Sequence, residues 1–316
     1  MPLLSVLISC YFNEGNIPVT FPALLENEKN FPDDVSFEYV FVDDGSKDNT
    51  YQQLLLAQQT APEKVTVVKL ARNFGANNAS LAAMQHCKGD VCVIIAADLQ
   101  DPPALIPKMY EHWRNGLKLV IANRVSRQDT AMTKFFSNTY HKIVKKYALP
   151  SAPDGGFDLF LFDKQIKDDI LRIDEKNIFL PYLFIWLGYE YVCIPYERQE
   201  RKIGKSRWTL SKKIKAVVDS FVGFSFLPIR LITISGLFLG LITLVYGVAI
   251  IIGKIFGAVS VDGWSSLMVT LLFVSSFQMI SLGVLGEYIW RSLDAARNRP
   301  NFVVDKVSFK RSKDEL

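Results

Sequence analysis

Histidine and cysteine are scarce in this 316-residue chain, with three of the first and four of the second. His86, His112 and His141 lack metal-ligand spacing, and Cys10, Cys87, Cys92 and Cys193 form no Cys-x-x-Cys pair. That argues against a zinc centre, a redox dithiol and a disulfide framework. Cys10 and Cys92 lie in apolar runs and read as reduced core residues. A strong net charge is also missing. The balance of 36 Lys and Arg against 32 Asp and Glu gives +4, too mild to point to nucleic acid. No signal peptide is expected, because the apolar run Ser5–Tyr11 is too short for a hydrophobic region with flanks.

What is present is unevenly placed. Apolar residues make up 49% of the chain, but residues 1–228 read as an ordinary globular mixture. Leu231–Gly253 and Ser265–Gly286, by contrast, carry no charge at all. A helix of about 22 residues is about 33 Å long, enough to cross a bilayer core of about 30 Å. The linker Lys254–Trp264 holds one Lys and one Asp, whereas Lys and Arg cluster at 198–215 and 291–311. The positive-inside rule then predicts an integral membrane protein with two spans, the large N-terminal domain and both termini being cytoplasmic. Before the first span, Leu210, Ile214, Val217, Val218, Phe221 and Phe224 recur at helical spacing, with Lys212, Lys213 and Lys215 among them. This predicts an amphipathic helix, either at the lipid interface or against a core. The expected plan is a domain over 1–208, a juxtamembrane helix over 209–228, a two-helix membrane domain over 229–290 and a tail over 291–316.

Within the first domain, β-prone apolar runs occur at Ser5–Phe12, Phe37–Asp43, Val65–Leu70, Val91–Ala97 and Leu117–Ala122. Helical spacing separates them at Tyr51–Gln59, Ala76–His86 and Leu105–Arg114. The alternation predicts an α/β fold with a mostly parallel, Rossmann-like sheet covered on both faces. Right-handed crossovers bring the strand C-termini to one edge, where such sheets bind ligands. The residues that follow the strands are polar: Asn13 and Glu14; Asp43, Asp44, Gly45, Ser46 and Asp48; Arg72, Asn73 and Gly75; Asp98, Gln100 and Asp101; and Arg124. Turns favour Asp, Asn and Gly in any case, but five such ends on one edge describe a site.

Ser9–Glu14 followed by Val42-Asp43-Asp44-Gly45-Ser46 and Asp48 resembles the opening of glycosyltransferase family 2, which has the GT-A fold. Arg72-Asn73-Phe74-Gly75 and Ala97–Pro103 are similar to the polyprenyl-phosphate glycosyltransferases, relatives of dolichol-phosphate mannose synthase. Leu285-Gly286-Glu287-Tyr288-Ile289-Trp290-Arg291 with Arg299-Pro300 resembles the bactoprenol glucosyltransferase branch, which carries two C-terminal spans. The resemblance implies inverting transfer of a sugar, glucose from UDP-glucose in the first instance, to polyprenyl (undecaprenyl) phosphate. Mannose or an aminopentose is the alternative sugar, and a non-catalytic membrane scaffold the alternative class. A processive synthase would carry a Gln-x-x-Arg-Trp element, which neither Arg207-Trp208 nor Trp290-Arg291 supplies. The implied partners are the nucleotide-sugar donor, the polyprenyl phosphate, membrane lipid, and a flippase and downstream transferase that handle the product. A homo-oligomer is left open.

The chemistry needs a divalent cation, Mg²⁺ or Mn²⁺, against the charge of the departing nucleoside diphosphate, and hard oxygen ligands suit either ion. By resemblance those ligands are Asp98 and Gln100. Many relatives carry an Asp where this chain has Ala96, so the site should lean more on diphosphate oxygens and water. Asp101 either contributes or caps the helix that opens at Pro102-Pro103, the cap being favoured. The family uses the Asp of the second strand end for the pyrimidine N–H, here Asp43 or Asp44. Tyr11 is expected to stack on the base, with Asn13 and Glu14 near the ribose. Arg72 is either a further base contact or a structural ion pair. Arg124 and the loop residues Arg201, Lys205 and Ser206, which resemble an Arg-x-x-Gly-x-Ser element, are expected to grip the acceptor phosphate. The alternative for that loop is attraction to anionic headgroups. Asp158 or Asp154 serves as base, as a sugar ligand or simply as a turn residue. Glu287 pairs with Arg291 or binds a partner.

Overall fold

The computed structural model describes residues 1–126, 131–153, 155–173, 175–177, 179–201, 203, 210–256 and 263–309. In chain order the elements are β1 (Leu3–Cys10), α1 (Ile17–Asn27), β2 (Ser36–Asp43), α2 (Thr50–Thr60), β3 (Val65–Leu70), α3 (Ala76–His86), β4 (Val91–Ala96), α4 (Leu105–Arg114), β5 (Leu119–Ser126), α5 (Ala131–Tyr147), β6 (Gly156–Asp163), α6 (Lys164–Arg172), α7 (Leu180–Trp186), β7 (Tyr191–Glu197), α8 (Leu210–Phe224), α9 (Leu227–Ile255), α10 (Trp264–Ala296) and β8 (Val304–Ser308). The chain divides into two compact units, residues 1–216 with 300–316, and residues 217–299.

The first unit is one sheet in the order β7-β5-β6-β4-β1-β2-β3-β8. β1 to β5 and β7 run one way, and β6 and β8 run against them. The continuous apolar runs read from the sequence are strands buried on both faces, as a helix-covered parallel sheet requires. On one face Leu4, Val6 and Ile8 of β1, Tyr39 and Phe41 of β2 and Val91, Val93 and Ile95 of β4 are buried with Phe21 and Leu24 of α1 and Ile106 and Met109 of α4. Each such side chain contributes roughly 1.5–3 kcal/mol when fully removed from water. Register sets the functional edge. Cys10 pairs with Asp43 and Ser9 with Ala96, so β1, β2 and β4 end level with one another. Because β6 runs against its neighbours, its N-terminal end joins that same edge, with Arg124 paired to Gly156.

The expected tail after the second apolar helix contains a strand, Val304–Ser308. β8 pairs antiparallel with β3, Val67 opposite Ser308 and Leu70 opposite Val304. Gln58 of α2 fastens it. Its Nε2 donates to the carbonyls of Val65 (2.9 Å) and Ser308 (2.7 Å), and its Oε1 accepts from Ser308 Oγ (2.7 Å). Gln58→Ala removes all three of these bonds and is expected to cost about 1–3 kcal/mol. A lowered midpoint in thermal unfolding of the full chain would register the loss.

In the second unit, α9 and α10 are long and apolar enough to cross a membrane, with mean hydropathy 2.2 and 1.9. Many of their apolar side chains are exposed, Leu237 and Leu267 at 71% and 70%. Arg291 of α10 donates through Nη2 to Asp219 Oδ1 of α8 (2.6 Å) and through Nε to Glu287 Oε1 (2.9 Å). Of the two readings left open for Glu287, the structure therefore contains the pair with Arg291.

Candidate active site

Two bends prepare the edge. Phe12 after β1 and Leu99 after β4 sit at φ 56° and φ 54°. Non-glycine residues rarely adopt this conformation, and each costs of order 1–3 kcal/mol. The bend at Leu99 turns the chain between Asp98 and Gln100. A third turn follows β2, where Gly45 is at φ 67° and a Cβ would lie 2.4 Å from the backbone carbon of Arg72. Glycine is required there twice over, by conformation and by space.

The close approach at Gly45 brings the β2 and β3 ends together, and Asp44 locks them. Its carboxylate accepts from the backbone N–H groups of Phe74 (2.7 Å) and Gly75 (2.9 Å) and from Asn73 Nδ2 (2.9 Å). Asp43 is also buried, but differently used. Oδ1 accepts from the Ser46 N–H (3.0 Å), while Oδ2 is buried with no hydrogen-bond partner. Burial pushes its carboxyl above the ordinary value, against the lowering effect of Ser46 and Lys69. The β1 loop is stitched to the same turn. Phe12 N donates to Ser46 Oγ (3.0 Å), Asn13 N to Thr50 Oγ1 (2.8 Å), and Asn49 N to Glu14 Oε2 (2.9 Å). Tyr11 packs edge-on against Phe12 and donates its N–H to Asn13 Oδ1. Arg72 is exposed and stacks on the Phe74 ring, 4.1 Å from its centroid.

The β4 end is met by residues from beyond β7. Arg201 Nη2 lies 2.7 Å from Asp98 Oδ2 and 3.3 Å from Gln100 Oε1. The backbone is zipped there as well, Gln199 N donating to the Gln100 carbonyl (2.9 Å) and Gln100 Nε2 to the Gln199 carbonyl (3.3 Å). Asp101 does not cap α4. That helix begins at Leu105, and the carbonyls of Pro102 and Pro103 serve its first N–H groups. Asp101 instead turns inward, accepting from the Tyr196 hydroxyl (2.5 Å) with Arg198 Nε 3.5 Å away. Burial raises its carboxyl, opposed by the Tyr196 bond and Arg198. Arg124, nearly buried, is paired with half-exposed Asp158 at 2.7 Å. Two residues assigned different tasks from the sequence thus hold each other. Asp154, Lys205 and Ser206 lie outside the described residues.

The edge accordingly gathers Tyr11, Asn13, Glu14, Asp43, Asp44 and Arg72 around the β1–β3 ends. Asp98, Gln100 and Arg201 form a second group, and Arg124 with Asp158 a third. Sequence reasoning missed Tyr196, Arg198 and Gln199, because β7 was not read as a strand. The only sign was the Tyr-x-Arg-Gln run closing an apolar segment. Among the described residues no group of three or more His, Cys, Asp or Glu side chains could hold a metal.

Residues 5–171 match the glycosyl transferase family 2 domain. An uncharacterized glycosyltransferase of Synechocystis is 34% identical over 305 residues, 96% of this chain and 95% of that one. The prophage-derived bactoprenol glucosyl transferase of Shigella flexneri is 32% identical over 304 residues, covering 96% and 97%. A prophage bactoprenol glucosyl transferase homolog of Escherichia coli is 30% identical over 305 residues, covering 96% and 99%. By its mostly parallel sheet and these relatives, the chain belongs to glycosyl transferase family 2 and has the GT-A fold followed by two apolar helices.

Proposed function

We propose that this glycosyltransferase moves a glucosyl unit from UDP-glucose to polyprenyl phosphate, with inversion, at the cytoplasmic face of a membrane crossed by α9 and α10. One observation carries the reading: Asp98 Oδ2 and Gln100 Oε1 converge on a single cationic nitrogen at the ligand edge of the sheet. Two hard oxygens already sharing a positive charge are a donor set that fits Mg²⁺ or Mn²⁺. When bound there with the donor, such an ion supplies charge against the departing nucleoside diphosphate. The relatives named for bactoprenol glucosylation align along nearly the whole chain and so support the sugar and the lipid.

The chain's own residues then divide the work. The partnerless Oδ2 of Asp43 is the acceptor suited to the pyrimidine N–H, whereas both oxygens of Asp44 are engaged by the loop after β3. Arg72 on its Phe74 platform borders the base, Tyr11 stacks on the base, and Asn13 and Glu14 border the ribose. Arg124 holds Asp158 toward the sugar. A lipid phosphate is already anionic, so attack on the anomeric carbon needs alignment more than a strong base. Attack opposite the leaving diphosphate inverts the centre. Arg201, with Lys205 and Ser206, holds that phosphate. The return of β8 to the first unit's sheet implies an even number of crossings between residues 216 and 300. That fits two spans with the catalytic domain and both termini on the cytoplasmic side. The product then passes to a flippase and a downstream transferase.

The test is a turnover screen of the detergent-purified full chain with Mn²⁺, one polyprenyl phosphate and UDP-glucose, UDP-galactose, GDP-mannose or a UDP-aminopentose. UDP-glucose is expected to give one glucosylated lipid of inverted anomeric configuration by NMR. Preference for another donor would overturn the sugar assignment. No glycolipid with any donor would favour a scaffold that kept the fold.

A further inference from the structure

Arg201 is assigned above to the acceptor phosphate, yet its guanidinium rests on the two residues assigned to the cation. The contact is specific. A single nitrogen, Nη2, faces both Asp98 Oδ2 and Gln100 Oε1. Each of those oxygens is the one its side chain has to offer. Asp98 Oδ1 already accepts from the Gln100 N–H (3.2 Å), and Gln100 Nε2 is committed to the Gln199 carbonyl, which turns Oε1 toward Asp98. A guanidinium N–H and a dication would therefore use the same lone pairs, and two positive charges at that spot repel.

We propose that Arg201 and the divalent cation exclude one another at the Asp98–Gln100 pair, so that arrival of the cation with the donor hands Arg201 over to the acceptor phosphate. The proposal rests on the reading that Asp98 and Gln100 hold the cation. The surroundings permit the exchange. The Asp98 side chain is 9% exposed and stays in place, whereas that of Arg201 is 30% exposed and has solvent beside it. Upstream, the segment is anchored by the Tyr196–Asp101 bond and the Gln199–Gln100 backbone bond, neither of which involves the guanidinium. Arg201 can leave the carboxylate without unzipping the strand end. The exchange imposes an order in which the donor and its cation bind first, and only then is the acceptor's arginine released. It also makes binding of the two substrates mutually favourable. Until the cation is present, Arg201 satisfies the Asp98 carboxylate.

The readout is the affinity for Mn²⁺ alone, measured by electron paramagnetic resonance of the free ion against the full-length protein. Arg201→Ala and Arg201→Gln should each bind Mn²⁺ about 5- to 10-fold more tightly than the parent, the gain expected from removing a competing charge-assisted hydrogen bond. Arg201→Lys, which keeps the charge, should stay near the parent. Asp98→Ala should abolish binding in either background. Unchanged or weaker Mn²⁺ binding in both neutral variants, with Asp98→Ala still abolishing it, overturns the exchange and spares the cation site. Binding that survives Asp98→Ala overturns the cation site, and the exchange falls with it.

Discussion

Asp98→Ala is expected to lower glucosyl transfer at least about a thousand-fold, because in the proposed site its carboxylate is the formal charge that faces the cation, and electrostatic groups of this kind dominate transfer of a charged leaving group. The comparison with Gln100 sharpens the expectation. An amide offers a dipole where a carboxylate offers a charge, so Gln100→Ala should lose less. Ala96, two residues before Asp98, offers no carboxylate in its place. Folding should hardly notice. The partners lost are the Gln100 N–H and Arg201, whose side chain is 30% exposed and can turn to water. A pair open to solvent on one side contributes only about 0–1 kcal/mol. Steady-state transfer from radiolabelled UDP-glucose, paired with thermal unfolding, separates the two effects. A rate loss below tenfold at an unchanged melting midpoint would remove Asp98 from the chemistry.

How much of this was legible beforehand follows from what each element advertises. β1 to β5 announced themselves because parallel strands buried on both faces are written as unbroken apolar runs, and α2 to α4 because helical spacing separates those runs. β7 is only partly buried and contains Pro195, so its run is diluted. β8, Val-Asp-Lys-Val-Ser, is an edge strand whose charges guard against further pairing, and a charged segment reads as tail. The site shows the same division. Strand ends could be found from position alone, since polar residues after apolar runs collect on one edge. The partner each would take could not. Asp101 looked like a cap until Tyr196, 95 residues away, took its oxygen. Arg124 could be placed at the edge from its position, but not the partner that β6 delivers to it, Asp158. Asp43 and Asp44 are adjacent, chemically identical and both buried, and only the loop arriving from β3 distinguishes them.

That distinction sets the second large effect. Asp44→Asn replaces an acceptor of three hydrogen bonds with a group that accepts at one atom and donates at the other, so at least one of the N–H groups of Asn73, Phe74 and Gly75 faces another donor. Buried and charge-assisted bonds are lost together, and the cost is expected to be about 3 kcal/mol. The loop carrying Arg72 should loosen, so that stability and donor affinity fall together. Asp43→Asn should behave in the opposite way toward stability. Its carboxyl is held above the ordinary value by burial, so the folded state resists its ionisation. The resulting penalty grows as pH rises from the ordinary carboxylate value of about 4 through the raised one, and is absent below both. An amide escapes that penalty and can still accept from Ser46 N–H. Asp43→Asn should therefore be as stable as the parent or more so at neutral pH, while its Nδ2 meets the base N–H as donor against donor and donor affinity falls by about tenfold or more. In the parent, donor affinity should rise with pH through the Asp43 titration, since only the carboxylate accepts fully, and that dependence should vanish in Asp43→Asn. UDP-glucose titrations across pH, run beside unfolding midpoints for both variants, decide the matter. Equal destabilisation by the two substitutions would mean that Asp43, like Asp44, is there to hold the loop.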